Sequence, residues 1–369
     1  MTAATHRRSG RGRRRQNESS PKILIVASED DLHAQVVGHL LAEHFGVTVV
    51  HLDFAAITPS GMFSLTIQPD GCAVRSSVGA IAARIDDVSS VWWRRPTRLT
   101  PSEAVTDLAV RGFCEREFQS LVWGAFEGLG RVINRPSAEI VAARKPYQLR
   151  VAQEAGLSVP RTIVTNDPEE MRAFWHQVGG SCIYKALTAP AWKMIETRQF
   201  TQADFAALDG LRHAPAIFQE LIIAARHIRV TMFGKETFAA AIDNEPGGHV
   251  DHRLRTGADM YRCELPKETS AQLDGLRVAL GLDYACVDLV EARDGTYWFL
   301  EINPSGQFLY VEMDTGMPLA MSMARLLADP DGSWTGRHQF ATSSPPQNRR
   351  RHGPLNDQVA TGPVRRPAE

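Results

Sequence analysis

The segment 283–303 constrains this chain most. Two alternating runs, 283–291 and 296–303, flank Asp294-Gly295; Asp-Gly between such runs is among the strongest short-range hairpin signals. With Asp294 and Gly295 at the centre of a tight turn, Arg293 faces Thr296 and Asp288 stands directly opposite Glu301. Asn303, two residues further, shares their face. The other face collects Val287, Leu289, Trp298, Leu300 and Ile302. One side is therefore predicted to be core, while the other presents two carboxylates and a carboxamide. Like charges directly opposite destabilise a sheet, so either a hard divalent cation or a neighbouring Lys or Arg must offset them. Asn303 as a third oxygen ligand, and the loop Pro304-Ser305-Gly306 behind it, favour the cation. With no His or Cys in the set, magnesium suits it better than zinc, and Cys286 on the same face is a poor partner for a hard ion.

The remainder reads as an α/β chain. Residues 22–27 and 47–53 are apolar runs separated by a helix-period stretch to about 45, which predicts a parallel strand–helix–strand layer. A hairpin is expected over 62–76 around Pro69-Asp70-Gly71, a strand over 89–93 and a long helix over 102–128. A helix over 137–155, with Ser137 as N-cap and Gly156 as its stop, opens a second block. That block continues with strand 161–165, a helix start at Asn166-Asp167-Pro168, strand 182–187 and a polar loop. The third block is mostly antiparallel: strand 216–222, a hairpin 227–233 and 236–243 turned at Gly234-Lys235, a helix over 267–281, then the hairpin above.

Of 369 residues, 43% are hydrophobic, which excludes disorder as the dominant state. No run of about 18 apolar residues exists, so no membrane span is expected. Five cysteines, widely spaced and never in a CxxC pair, argue against a disulfide framework or zinc site and for a reducing compartment. A cytoplasmic protein is the expectation. The net charge of −1 conceals an asymmetry: residues 1–20 carry +5 and residues 336–369 carry +4, which leaves −10 on the body. Both tails lack periodicity and are expected to be disordered. An acidic body weighs against nucleic acid as a partner.

Two isolated lysines complete the pattern. Lys145 sits in a predicted helix, and Lys185 ends a strand of small and apolar residues. A lysine inside such a strand is costly unless its ammonium meets an anion, although either lysine alone is equally read as reaching solvent. Magnesium and two lysines are the minimum for holding a nucleoside triphosphate, and no GxxxxGK[ST] loop is present.

Seven segments in order then resemble the ATP-grasp superfamily, and within it the ribosomal-peptide maturases (graspetide synthetases, such as microviridin-type macrocyclases). They are Val91-Trp92-Trp93-Arg94-Arg95-Pro96; Val132-Ile133-Asn134-Arg135-Pro136; Lys145-Pro146-Tyr147-Gln148-Leu149; Val159 through Asn166; Phe218-Gln219-Glu220-Leu221; Ile228-Arg229-Val230; and Glu301 through Gln307. The resemblance implies an ATP-grasp fold: an N-terminal α/β domain over 21–135 and an ATP-grasp domain over 136–335. The latter divides into a central part, 136–215, and a C-terminal antiparallel part, 216–335, with tails 1–20 and 336–369. It places ATP phosphates on Lys145 and Lys185, with the loop 188–198 closing over them. Gln219, Glu220 and the backbone of Leu221, Ile222 and Ile223 would form the adenine hinge. Asp288, Glu301 and Asn303 would hold Mg2+, as a pair of ions. Arg229 and Arg253 would lie near the transferred phosphoryl group beside Lys185, and Trp93, Arg94, Arg95 and Asp251 would face the substrate. His227 replaces the family's acidic ribose acceptor; a neutral imidazole still accepts one hydrogen bond, which implies weaker ATP affinity.

The function implied is an ADP-forming ligase. It would activate Asp or Glu side chains of a precursor peptide as acyl phosphates and join them to hydroxyl or amine groups as macrocycle cross-links. The alternatives are a ligase adding an amino acid to a small molecule or protein terminus, an ATP-grasp kinase, and a nucleotide-binding regulator. The partner expected is a peptide, not a membrane or nucleic acid; relatives of this type are often homodimers.

Overall fold

A computed structural model describes residues 21–57, 62–69, 71–78, 81–85, 88–188, 197–244 and 260–329. Both tails, Asp251, Arg253 and residues 189–196 of the loop expected to close over phosphates lie outside the described residues.

The chain opens with β1 (Lys22–Ala27), α1 (Leu32–Phe45) and β2 (Thr48–Leu52), and β1 pairs in parallel with β2. The Asp31 carboxylate caps α1 by accepting from Ala34 N at 2.9 Å, and Gly46, at φ 63°, ends it. An antiparallel meander follows: β3 (Met62–Gln68), β4 (Gly71–Val78) and β5 (Ile81–Arg84). Next, β6 (Ser90–Arg95) returns to lie parallel beside β1. The expected helix over 102–128 is shorter, α2 (Leu108–Glu127), because Asp107 supplies the cap, accepting from Val110 N. After it, β7 (Val132–Ile133) completes the order β2-β1-β6-β7.

The single helix expected over 137–155 is two. Pro136 sits in the first turn of α3 (Pro136–Ala142), so Arg135 and not Ser137 is the N-cap, and Pro146 opens α4 (Lys145–Glu154). Proline lacks the amide a helix interior needs and fits only the first turn, so the break falls at Ala143-Arg144 and sets Lys145 at a helix start. A small antiparallel sheet comes next, from β8 (Thr162–Thr165), α5 (Pro168–Gln177), β9 (Cys182–Lys185), β10 (Arg198–Phe200) and β11 (Ala216–Glu220), in the order β10-β9-β11-β8.

The third sheet contains β12 (Ala224–Phe233), β13 (Glu236–Asp243), β14 (Tyr261–Cys263), β15 (Tyr284–Ala292) and β16 (Tyr297–Asn303). Its order is β14-β13-β12-β15-β16, with α6 (Lys267–Ala279) packed against it and α7 (Leu309–Thr315) and α8 (Leu319–Ala328) following. The β15–β16 register is reached by two departures from the simple hairpin. The loop holds three residues, with Ala292 N donating to Thr296 O and Gly295 at φ 84°. Leu300 is then an extra residue, a β-bulge between the Asp288 and Leu289 pairings. Leu289 therefore faces Phe299, whereas Asp288 faces Glu301 as expected. The bulge also corrects the core face: Phe299 is fully buried, and Trp298 and Leu300 are only partly so.

One core cluster joins the first and the last of the described elements. Ile23, Ile25 and Trp92 pack in it with Phe233, Tyr284, Phe308 and Met323. Among the described residues no helix is long and apolar enough to cross a membrane.

Candidate active site

Asp288 on β15 and Glu301 and Asn303 on β16 converge as their register requires. Asn303 Nδ2 lies 3.4 Å from Asp288 Oδ2 and 3.3 Å from Glu301 Oε1. Two cations offset the carboxylates. Arg229, on the neighbouring β12, donates from Nη1 to Asp288 Oδ1 at 2.8 Å, and Lys145 donates from Nζ to Glu301 Oε2 at 2.5 Å. Burial works against the ionised Glu301. The charge and hydrogen bond of Lys145, the charge of Lys185 and the Asn303 amide outweigh it and bring the carboxyl down to about 2. Burial likewise disfavours the Arg229 charge, yet Asp288 beside it raises the guanidinium well above its ordinary value.

The cationic neighbours left open by the sequence are therefore present, and the donor set still suits a hard ion. It offers two carboxylates and a carboxamide, and turning the Asn303 amide by half a rotation presents its oxygen in place of nitrogen. Among the described residues no group of three His, Cys, Asp or Glu side chains forms a metal cluster; two carboxylates with the carboxamide are what the protein offers a divalent ion here.

Lys185 approaches from the small sheet. Its Nζ donates to Gln219 Oε1 at 3.2 Å, and Gln219, fully buried, donates in turn to Thr162 Oγ1 at 2.9 Å. Gln219 thus supports the lysine. Glu220 is engaged by Arg161 through two bonds of 3.0 Å, a pair the sequence reading missed. The Leu221 amide donates to Ser181 O, so that donor of the expected hinge is occupied. Beyond it, Ile222 is partly buried and Ile223 is 66% exposed. His227 is buried on the same face of β12 as Arg229.

On the N-terminal side, the assignment of Trp93 and Arg94 to a substrate face is corrected. Trp93 is buried against Phe126, with ring centroids 4.9 Å apart, and Trp92 is buried as well. Both alternate faces of β6 are covered, so neither indole is open to a ligand. Arg94 is fully buried and donates from Nη1 to Ser305 O at 2.6 Å and Gly306 O at 3.0 Å. It braces the loop after β16. Arg95 also donates to Ser305 O and does line the cavity. Gly306 is required there: a Cβ would overlap Cys286 and come within 2.9 Å of Arg229 Nη2.

A cavity of about 670 Å³ is lined by Arg95, Arg229, Asp288, Glu301 and Asn303. Two further lining residues, Glu139 and Tyr310, escaped the sequence reading. Neither sits in a distinctive local pattern, and only the α3–α4 break and the turn into α7 bring them here.

A family model for a RimK-like ATP-grasp domain matches residues 142–327. The chain belongs to the RimK-like ATP-grasp family. A probable alpha-L-glutamate ligase of Pectobacterium carotovorum subsp. carotovorum (strain PC1) is 25% identical over 226 residues, 59% of this chain and 72% of the relative. The macrocyclase MdnC of Microcystis aeruginosa MRC, solved with precursor peptide MdnA bound, is 25% identical with a TM-score of 0.74, covering 83% of this chain and 99% of that one. The ATP-grasp ligase PsnB, solved with a phosphomimetic variant of its minimal precursor, Mg and ADP, is 27% identical with a TM-score of 0.69, covering 83% and 97%. The RimK-like chain described here is a ligase of the ATP-grasp fold, and its solved neighbours bear out the resemblance to peptide maturases.

Proposed function

We propose that this ligase joins a carboxylate side chain of a peptide to a hydroxyl or amine of the same peptide, with ATP as the energy source. The carrying observation is the charged cluster at the cavity. Arg229 lines it with Asp288, Glu301 and Asn303, Lys145 bonds Glu301 and the charge of Lys185 acts on the same carboxylate, and the chain spans 99% of a macrocyclase solved with its peptide.

A substrate carboxylate attacks the γ-phosphorus of ATP and displaces ADP, which leaves an acyl phosphate. Charge develops on the phosphoryl oxygens, and Lys185, Lys145 and Arg229 are the cations that would meet it. Asp288, Glu301 and Asn303 would hold Mg2+, which supplies charge neutralisation and alignment of the phosphates. Gln219 keeps Lys185 extended toward the site. The hydroxyl or amine then attacks the acyl carbon and phosphate leaves. No side chain of the protein needs to be a nucleophile.

A second reading, transfer of a free amino acid to an acceptor, is favoured by the glutamate ligase names of the sequence relatives. The test is the full-length protein with ATP, Mg2+ and synthetic peptides carrying Thr, Ser or Lys together with Asp or Glu, with and without free L-glutamate. The expected product has lost one water per linkage by mass, with one ADP released for each. A gain of glutamyl residues supports the second reading, a gain of phosphate a kinase. Absence of peptide-dependent ADP release overturns the proposal.

A further inference from the structure

Glu139 stands apart from the other acids of the cavity. It projects from α3, retains part of its surface, and that surface lines the same cavity as Asp288, Glu301 and Arg229. Its Oε1 accepts from Ser305 Oγ at 2.5 Å. Asp288 and Glu301 are committed to Arg229 and Lys145, and a carboxylate held by a cation is a weak base. Tyr310 is a phenol that burial makes harder still to ionise. The geometry points to Glu139 as the general base of the second half-reaction, the group that takes the proton of the attacking hydroxyl or amine. This rests on the ligase reading above and assigns a step that reading leaves open.

In the step, the acceptor oxygen or nitrogen bonds to the acyl carbon. The bond from that carbon to the phosphate oxygen breaks, its electron pair leaves with phosphate, and the acceptor proton passes to a Glu139 carboxylate oxygen. The basicity is suited to this. Desolvation lifts the carboxyl to about 8, although Ser305, Arg94, Asn134 and Arg95, the groups that face it, all pull the other way. A base is most effective when its pKa lies near the working pH.

The experiment separates the two half-reactions in full-length protein with ATP and Mg2+, using the peptide that the wild type dehydrates. Hydroxylamine, which needs no base, traps the acyl phosphate as hydroxamate; water loss reports the condensation. Glu139→Gln is expected to keep hydroxamate formation within about twofold and to slow water loss about 100-fold or more. The rise of the wild-type condensation rate with pH toward about 8 should vanish in the variant, while the hydroxamate profile stays the same in both. Equal loss of both products, or unchanged condensation, overturns the assignment. Ser305→Ala, which removes only the hydrogen bond, should retain the pH limb. Should Glu139→Gln fail to fold, Glu139→Asp takes its place, with slowed condensation and the limb preserved. A wild type that forms neither product from any peptide overturns the ligase reading instead.

Discussion

At the scale of single residues, the site is a balance of charge. Glu301 is ionised because Lys145 and Lys185 outweigh the cost of its burial. Its folded pKa is depressed, so its contribution to stability is complete above the ordinary value of 4.5 and is lost as the pH falls through about 2. Asp288→Asn and Glu301→Gln are each expected to abolish ATP turnover, read as ADP release over a magnesium series. Activity like the wild type at moderate magnesium would show that these carboxylates hold no ion. Gly306 carries a different constraint. Because a Cβ there meets Cys286 and Arg229, Gly306→Ala should cost about 1–3 kcal/mol by overpacking, read by denaturant unfolding, and should lower turnover by moving Arg229.

At the scale of elements, the edge strand β16 explains how a metal-type triad stays in register. An edge strand leaves backbone groups unpaired, and here helix and loop residues cover them. The Gln148 carboxamide, on α4, donates to Ile302 O at 2.9 Å and accepts from Ile302 N at 3.2 Å, while Phe299 N donates to Ser158 O. Gln148→Ala should leave those buried groups unsatisfied at about 1–3 kcal/mol each, measured as a lowered Tm, with turnover falling because Glu301 and Asn303 flank Ile302. A melting curve that does not move would contradict this bracing role. The same strand shows what a sequence reveals. Alternation and Asp-Gly made the hairpin legible, and the Asp288–Glu301 pairing emerged correctly because a longer loop and the Leu300 bulge shift the register in opposite senses. Neither departure has a local signature, so Phe299 was missed as core. Trp93 and Arg94 were misplaced for a related reason: strand periodicity says that β6 has two faces, and not that tertiary packing covers both. Pro136 and Pro146 did announce the two helix starts, although the single helix expected over 137–155 runs through Pro146.

At the scale of the whole molecule, the N-terminal third is part of the site's foundation. Arg94 and Arg95 hold the loop at Ser305 and Gly306. Asn134, buried, donates to Tyr284 O and Pro304 O and accepts from the amides of Asp283 and Tyr284. His33 accepts from the amides of Phe308 and Leu309 at 3.0 and 3.2 Å, and burial first, then Arg94, keeps this imidazole neutral down to about 4. A chain beginning at residue 136 would uncover the cluster that Ile23, Ile25 and Trp92 share with Tyr284 and Phe308. Such a truncation is expected to aggregate on expression, and a soluble product with a cooperative melt would show that the two portions fold independently.

Lys145 and Arg229 already neutralise the acids that would grip an ion. Loading would therefore be a trade of counter-ions and not an assembly. Asp288 and Glu301 would exchange Arg229 and Lys145 for the ion, and Lys145 would be released to meet phosphate. Stripped of every divalent ion by a chelator, the molecule should keep its native shape and simply stand idle.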